Sequence, residues 1–146
     1  MYNILLQAHS GFRYLVLILI ILAIVQSLAG WFGNKSYTDG NRKINLFAMI
    51  SAHIQFLLGI VLYFVSPYVK FNDMGTAMSD PSLRYWTVEH LVMMLFAIVL
   101  ITVGHSRSKK LAEASAKHRA VAIFYGLATL IVIVAIVQSG RGLIGS

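Results

Sequence analysis

The sequence has no cysteine and few charged residues. Without a thiol, the chain cannot form disulfides, thiolate zinc sites, iron–sulfur clusters or the covalent haem links of c-type cytochromes. A bound metal would need histidine, carboxylate or methionine as its ligand. Only 12 % of the 146 residues are charged, whereas soluble domains average roughly a quarter. This shortage of charge argues against a soluble domain.

Acidic residues are also scarce, because five Asp and Glu stand against 12 Lys and Arg and leave a net charge of +7. In a polar protein such an excess suggests a nucleic-acid partner. Here the cations occupy short segments between long apolar stretches, which is typical of residues that flank a membrane. We therefore expect no nucleic-acid binding.

Hydrophobic residues make up 58 % of the chain, and they form four long stretches. Each is close to the roughly 20 residues that a helix needs to cross a bilayer. Four helices that are apolar on every face could not all be buried in a soluble chain of this size. The lipid bilayer is therefore the predicted surrounding of the stretches, which cover residues 14–32, 44–66, 85–104 and 120–139.

Residues at the ends of the stretches predict where the helices begin and end. Asp80 can cap a helix whose first turn holds Pro81, while Ser66-Pro67 ends the second helix and Gly33-Asn34 the first. The first stretch is long for a signal peptide, so we interpret it as an uncleaved helix. The sequence predicts an all-α, up-down four-helix bundle in one domain, residues 1–146, with helices at about 4–32, 42–66, 81–105 and 118–139.

The distribution of cations predicts an orientation. Eight of them lie in the two connections at residues 34–43 and 105–119, and the other four lie on the opposite side. The positive-inside rule then places both connections in the cytoplasm and both termini on the non-cytoplasmic side. We expect a multi-pass protein of the bacterial inner membrane.

Histidines and one glutamate fall within or near the predicted spans. His53 lies midway along the second span, and Glu89 and His90 lie in the outer third of the third. An ionisable group inside a bilayer is unfavourable unless it is satisfied, so these residues are functional candidates. His9, His105 and His118 lie nearer the membrane surfaces, where a single histidine has a more ordinary explanation.

The spacing of the histidines predicts haem. His90 and His105 are 15 residues apart, which on a helix is about 60° of rotation and about 22 Å of rise. One face of the third helix therefore presents imidazoles at two depths. Neutral imidazole binds haem iron axially, and two of them from facing helices make the iron six-coordinate. The pattern favours one or two haem b groups with bis-histidine ligation.

For an outer haem, the favoured ligands are His9 and His90, because the first and third helices of an up-down bundle lie across from one another. Arg13 is four residues after His9, on the same helix face, and could contact a haem propionate. The alternative for Arg13 is an interfacial cation or a contact with a lipid phosphate.

For an inner haem, the pairing of His53 with His105 ranks above that of His53 with His118. A competing scheme with a single haem pairs His53 with His90. Depth along the helices does not decide between these schemes.

Glu89 has two readings as well. Its carboxylate could relay protons or contact a quinone headgroup, or it could pair with Arg84 or Arg13 near the membrane surface. Gln26 and Gln55 are polar residues inside spans and are more typical of hydrogen bonds between helices.

Several stretches resemble small four-helix bacterial membrane proteins labelled cytochrome b, which are b561-like di-histidine haem bundles. They are Leu6-Gln-Ala-His9-Ser-Gly-Phe-Arg13-Tyr-Leu, Ile50-Ser-Ala-His53-Ile-Gln55, Val88-Glu89-His90 and Val103-Gly-His105-Ser. The resemblance implies haem ligands at His9, His53, His90 and His105, and electron transfer between a quinone pool and a partner redox protein. The sequence lacks the His-Trp pairing of cytochromes b561, which leaves haem number and pairing open.

A second hypothesis is a cofactor-free subunit of a larger membrane complex, with a structural or proton-conducting role. A transporter is disfavoured because four spans show no internal repeat or broken helix. No nucleophile motif or phosphate loop indicates a hydrolase or transferase. We expect an electron-transfer protein or oxidoreductase subunit rather than a stand-alone enzyme.

Overall fold

The computed structural model describes residues 2–65, 73–84 and 88–138. This part of the chain contains helices and no β-strand. The helices are α1 (Tyr2–Phe32), α2 (Asp39–Val65), α3 (Met74–Ser79), α4 (Pro81–Arg84), α5 (His90–Lys110) and α6 (Ala114–Gln138).

Helices α1, α2, α5 and α6 are long and apolar enough to cross a membrane. Large apolar side chains on them point away from the protein interior, among them Ile18, Leu57 and Phe96. Such exposure is unfavourable in water and favourable in lipid. The predicted all-α membrane four-helix bundle is confirmed, and the protein has the features of a multi-pass membrane protein.

The four long helices pack in chain order around the bundle. Helix α1 packs against α2 and α6, and α5 packs against α6 and less extensively against α2. Consecutive long helices are therefore neighbours, while α1 and α5 lie across from each other. Membrane helices approach closely where side chains are small, and the buried centre of this bundle includes Ala23, Ala48, Ala97 and Ala128.

The third long helix differs from its predicted bounds. Pro81 begins helix α4, as predicted, and Leu83 N donates to Asp80 Oδ1 over 3.3 Å. The predicted course of this helix through residues 85–87 lies outside the described residues. Helix α5 begins at His90 and continues to Lys110, beyond the predicted end at residue 105. Cations in its last turn interact favourably with the carbonyl end of the helix, so they extend it rather than end it.

The connections at the basic end are short. Asn34, two residues after the end of α1, has a φ of 51°, the left-handed conformation that commonly ends helices. Residues 111–113 join α5 to α6, so the predicted connection at 105–119 is largely helical. The Tyr37 ring lies 5.1 Å from the His118 ring and 5.6 Å from Lys117 Nζ. The α1–α2 and α5–α6 connections thus meet at one end of the bundle, as the sequence predicts.

Two predicted helix ends lie outside the described residues. They are the end of the second helix at Ser66-Pro67 and that of the fourth at residue 139.

Candidate functional site

The five histidines differ in how far the protein encloses them. His105 and His118 are each only 1 % exposed. His9, His53 and His90 are half-buried. Because a ligand of a bound group must border the space that the group fills, this difference separates the candidates.

His9 lies against a glycine of the neighbouring helix. A Cβ atom built on Gly59 of α2 would lie 3.2 Å from His9 Nε2. The backbone carbonyl of His9 accepts a hydrogen bond of 2.7 Å from Gln55 Nε2, which links α2 to α1 as the sequence predicts for this glutamine. The absence of a side chain at position 59 therefore leaves room for the imidazole.

His90 is the first residue of α5 and directly follows a local change in helix geometry. Val88 and Glu89 have the wider, π-helical pattern of backbone hydrogen bonds, which is frequent at functional sites. Glu89 Oε2 lies 3.6 Å from Arg84 Nε, one of the two ion pairs that the sequence predicts for this carboxylate. Both partners are partly exposed, so the pair adds little to stability.

The positions of His9 and His90 along the bundle follow from their neighbours. His53 lies level with Thr102, and His9 lies beside Gly59, six residues outward from His53. At about 1.5 Å per residue, His9 lies about 9 Å from the level of His53 and Thr102. His90 is 12 residues before Thr102 on α5 and lies about 18 Å from that level, toward the same end of the bundle. The two histidines are at the same end, offset by about 9 Å, on helices that lie across from each other.

His53 forms a hydrogen bond between helices. Its Nε2 lies 2.8 Å from Thr102 Oγ1, and Thr102 Oγ1 donates to the Ile98 carbonyl over 2.7 Å. Because the hydroxyl has one proton and uses it on the carbonyl, the imidazole is the donor to Oγ1. His53 Nε2 is thus engaged in joining α2 to α5.

His105 lies where α5 and α6 are in contact. A Cβ atom on Gly104 would lie 2.6 Å from Phe124 Cβ, so the two helices touch at this level. The His105 ring is enclosed, and its Nδ1 has no hydrogen-bond partner in the described part of the chain. The role of His105 as a haem ligand stays a prediction.

His118 is fixed by three contacts with the α1–α2 side of the bundle. Its Nε2 donates a hydrogen bond of 3.1 Å to the Ser36 carbonyl. The ring packs on the Cα atom of Gly30, since a Cβ atom there would overlap three ring atoms. The edge of the ring also faces Tyr37. Together these contacts attach the start of α6 to the end of α1.

A pocket of about 570 Å³ opens beside His118. It lies between the end of α1, the α1–α2 connection and the start of α6. Its lining is formed by Gln26, Ala29, Gly30, Lys35, Ser36, Thr38, Asn41 and His118. No motif in the sequence predicts this pocket, although polar residues in and beside two neighbouring spans are a signal for it.

A cluster of polar side chains lies next to the pocket. Gln26 Nε2 donates to Asn45 Oδ1 over 3.0 Å, and Asn41 Nδ2 donates to Gln26 Oε1 over 2.9 Å. Asn45 Nδ2 donates to the Tyr37 hydroxyl over 2.8 Å, and the buried Tyr125 hydroxyl donates to the Asn45 carbonyl over 2.7 Å. These bonds satisfy polar groups that lipid could not, and they confirm that Gln26 links helices.

Arg13 lies one turn after His9 on α1. Its Nη2 donates to the Tyr14 hydroxyl over 3.4 Å, and its guanidinium carbon is 5.2 Å from the centre of the Tyr14 ring. This contact orients the cation near the end of the bundle that holds His9. A role in binding a propionate stays a prediction.

His9 and His90 are the pair of half-buried histidines that lie at one end of the bundle. The absence of a side chain at Gly59 accommodates the His9 ring against α2. Within residues 2–65, 73–84 and 88–138, no three His, Asp or Glu side chains are grouped so that they could hold a metal ion. A haem site needs only two histidines from the protein.

No protein-family model, curated protein or solved structure matches this chain. Haem binding and the resemblance to cytochrome b proteins therefore stay predictions.

Proposed function

We propose that this protein is a membrane b-type cytochrome that binds one haem b between α1 and α5, with His9 and His90 as axial ligands. It would transfer electrons between a quinone pool and a partner redox protein. The observation that supports the proposal best is the placement of two half-buried histidines at one end of the bundle, on helices that lie across from each other. Histidines on opposite helices are what bis-histidine ligation between helices requires.

The described residues suggest how the protein would hold the group. A bound haem b would supply one-electron redox chemistry. The absence of a side chain at Gly59 accommodates the His9 imidazole at this position. Arg13, one turn further along α1, would neutralise a propionate, since guanidinium groups bind carboxylates well.

We propose one haem rather than two because the inner histidines are otherwise engaged. His105 is enclosed at the α5–α6 contact. His53 uses Nε2 in a hydrogen bond to Thr102. A second haem would require both residues to leave these contacts.

The proposed location is the bacterial inner membrane, with both termini outside the cytoplasm. The support is electrostatic, because eight of the twelve Lys and Arg belong to the end at which the two connections meet. Glu89 then lies at the opposite, outer end beside His90. In this proposal, its carboxylate contacts a quinone headgroup.

The proposal is tested by the optical spectrum of the purified protein and its haem content per chain. We expect the Soret and α bands of six-coordinate b haem at one haem per chain. His9→Ala and His90→Ala should each remove most of the absorbance while helicity is retained. A colourless, folded preparation from haem-replete cells would contradict the proposal and favour the cofactor-free subunit.

A matched pair of glycine substitutions tests the ligand role of His9 without removing it. Gly59→Leu places a side chain where the His9 imidazole lies, so we expect it to lower haem content strongly. Gly11→Leu is the control, because a Cβ atom on Gly11 has nothing within 4 Å. Equal haem content in the two variants would argue against His9 as a ligand.

A further inference from the structure

The pocket beside His118 lies at the depth of a lipid headgroup. Gln26, Ala29 and Gly30 form its wall on α1, whose apolar helix ends at Phe32. Ser36 and Thr38 contribute from the connection that follows. A pocket between the end of one span and the start of the next faces the boundary between hydrocarbon and water.

The lining favours an anion. Among the lining residues, all of which belong to the described part of the chain, Lys35 is the one cation and none is acidic. The nearby acid Asp39 already pairs with Arg42 at 2.9 Å and with Lys43 at 3.2 Å. Basic pockets between membrane helices commonly bind acidic lipid headgroups.

The polar groups of the lining are held in place before any ligand binds. Asn41 Oδ1 accepts from Thr38 N and Thr38 Oγ1, both over 2.9 Å, and Gln26 Nε2 donates to the Asn41 carbonyl over 2.9 Å. Side chains that are already ordered lose little further entropy on binding. Gln26, Thr38 and Asn41 are therefore already ordered where a ligand would contact them.

His118 provides an independent sign of a missing partner. It lines the pocket and is 1 % exposed, and its Nδ1 makes no hydrogen bond within the described residues. A buried polar atom without a partner is unfavourable and indicates that a further hydrogen-bonding group belongs nearby.

The surface that leads to the pocket distinguishes a lipid from a free anion. Leu22, Val25 and Ala29 are exposed and share one face of α1, at spacings of three and four residues. This apolar face runs from the bilayer to the pocket. An acyl chain can pack against this apolar face, whereas an inorganic phosphate ion makes no favourable contact with it.

We propose that this pocket binds the phosphate of an anionic phospholipid from the adjacent leaflet. Lys35 supplies the opposite charge, and the acyl chain lies against Leu22 and Val25. This site is separate from the proposed haem site at the other end of the bundle.

The first test is lipid binding by the purified full-length protein, measured by native mass spectrometry with phosphatidylglycerol and with phosphatidylcholine. We expect clear preference for phosphatidylglycerol, and about tenfold weaker binding of it by Lys35→Glu. Lys110→Glu is the matched control, since it makes the same charge change at the same end but outside the pocket. Equal weakening by the two variants, or equal binding of the two lipids, would overturn the proposal.

A second pair of variants tests the pocket itself without changing charge. Ala29→Phe should fill the cavity and abolish selective binding of phosphatidylglycerol, whereas Ala112→Phe, in the exposed α5–α6 connection, should leave it unchanged. Unchanged binding by Ala29→Phe would overturn the assignment to this pocket. Inorganic phosphate at up to millimolar concentration should fail to displace the lipid. Displacement of the lipid within this range would mean that a free phosphate is the ligand.

Discussion

His53 of α2 and Thr102 of α5 are joined by a hydrogen bond of 2.8 Å between Nε2 and Oγ1. The bond spans the side of the bundle where contact between neighbouring long helices is less extensive. It therefore connects α2 to α5 where apolar packing contributes least.

Replacing His53 by Ala should remove this connection without removing haem. We expect a loss of about 1 kcal/mol in the free energy of unfolding, the size of a typical hydrogen bond between membrane helices. Thr102→Val removes the same bond from the other side and should have a similar effect. The measurements are denaturation of the protein in mixed micelles and haem absorbance per chain. A fall in haem to the level of His90→Ala would make His53 a ligand.

Gly30→Ala should destabilise the protein, because its Cβ atom would overlap the fixed ring of His118. Overpacking of this kind costs about 1–3 kcal/mol. Gly126→Ala is the control, since a Cβ atom there meets nothing within 4 Å. That variant should be neutral or gain up to about 1 kcal/mol from the better helix propensity of alanine. Thermal unfolding in detergent compares the two, and equal melting temperatures would contradict the packing of His118 on Gly30.

Tyr125→Phe should weaken the polar cluster by removing the bond from the buried hydroxyl to the Asn45 carbonyl. The expected loss of unfolding free energy is about 0.5–1.5 kcal/mol. Tyr14→Phe changes an exposed tyrosine in the same way and should lie within about 0.5 kcal/mol of the parent protein. Chemical denaturation of both variants measures the difference. If Tyr14→Phe lowered the free energy of unfolding as much as Tyr125→Phe, the buried hydroxyl would have no special role in stability.

Single cysteines can determine the orientation, because the parent chain contains no cysteine. Gly75 is exposed in α3 and Ala112 is exposed in the α5–α6 connection. A maleimide that cannot cross membranes should label Gly75→Cys in spheroplasts, and should label Ala112→Cys only after the membrane is opened. The reverse pattern would place the basic end outside and leave the fold unchanged.

The four spans could be predicted from the sequence because hydrophobic length alone decides whether a helix crosses lipid. Asp80 and Pro81 also predicted a helix start correctly. What the local signals did not predict is that α5 continues past residue 105 to Lys110. The charge of the lysines near residue 110 predicts a connection, but cations also stabilise the last turn of a helix.

The site was less predictable because its contacts join distant parts of the chain. Gln26 could be assigned to a link between helices, since a polar side chain in a span needs a protein partner. The bond from His118 to the Ser36 carbonyl joins residues 82 apart in sequence. This bond depends on how the α1–α2 connection packs against α6, which the hydrophobic periodicity of the sequence does not predict. For the same reason, the sequence could not show that Thr102 is the partner of His53.

The hydrogen bonds of Gln26 with Asn41 and Asn45 have an effect beyond their own end of the bundle. Smooth apolar helices can slide past one another in lipid with little change in contact, whereas directional bonds allow only one axial register. Gln26 therefore sets how far α1 protrudes relative to α2. Because α1 is one continuous helix, the same bonds act together with the hydrogen bond from Gln55 to the His9 carbonyl to set the height of His9 at the opposite end. A substitution at Gln26 would be transmitted along the helix as a change in the depth of His9.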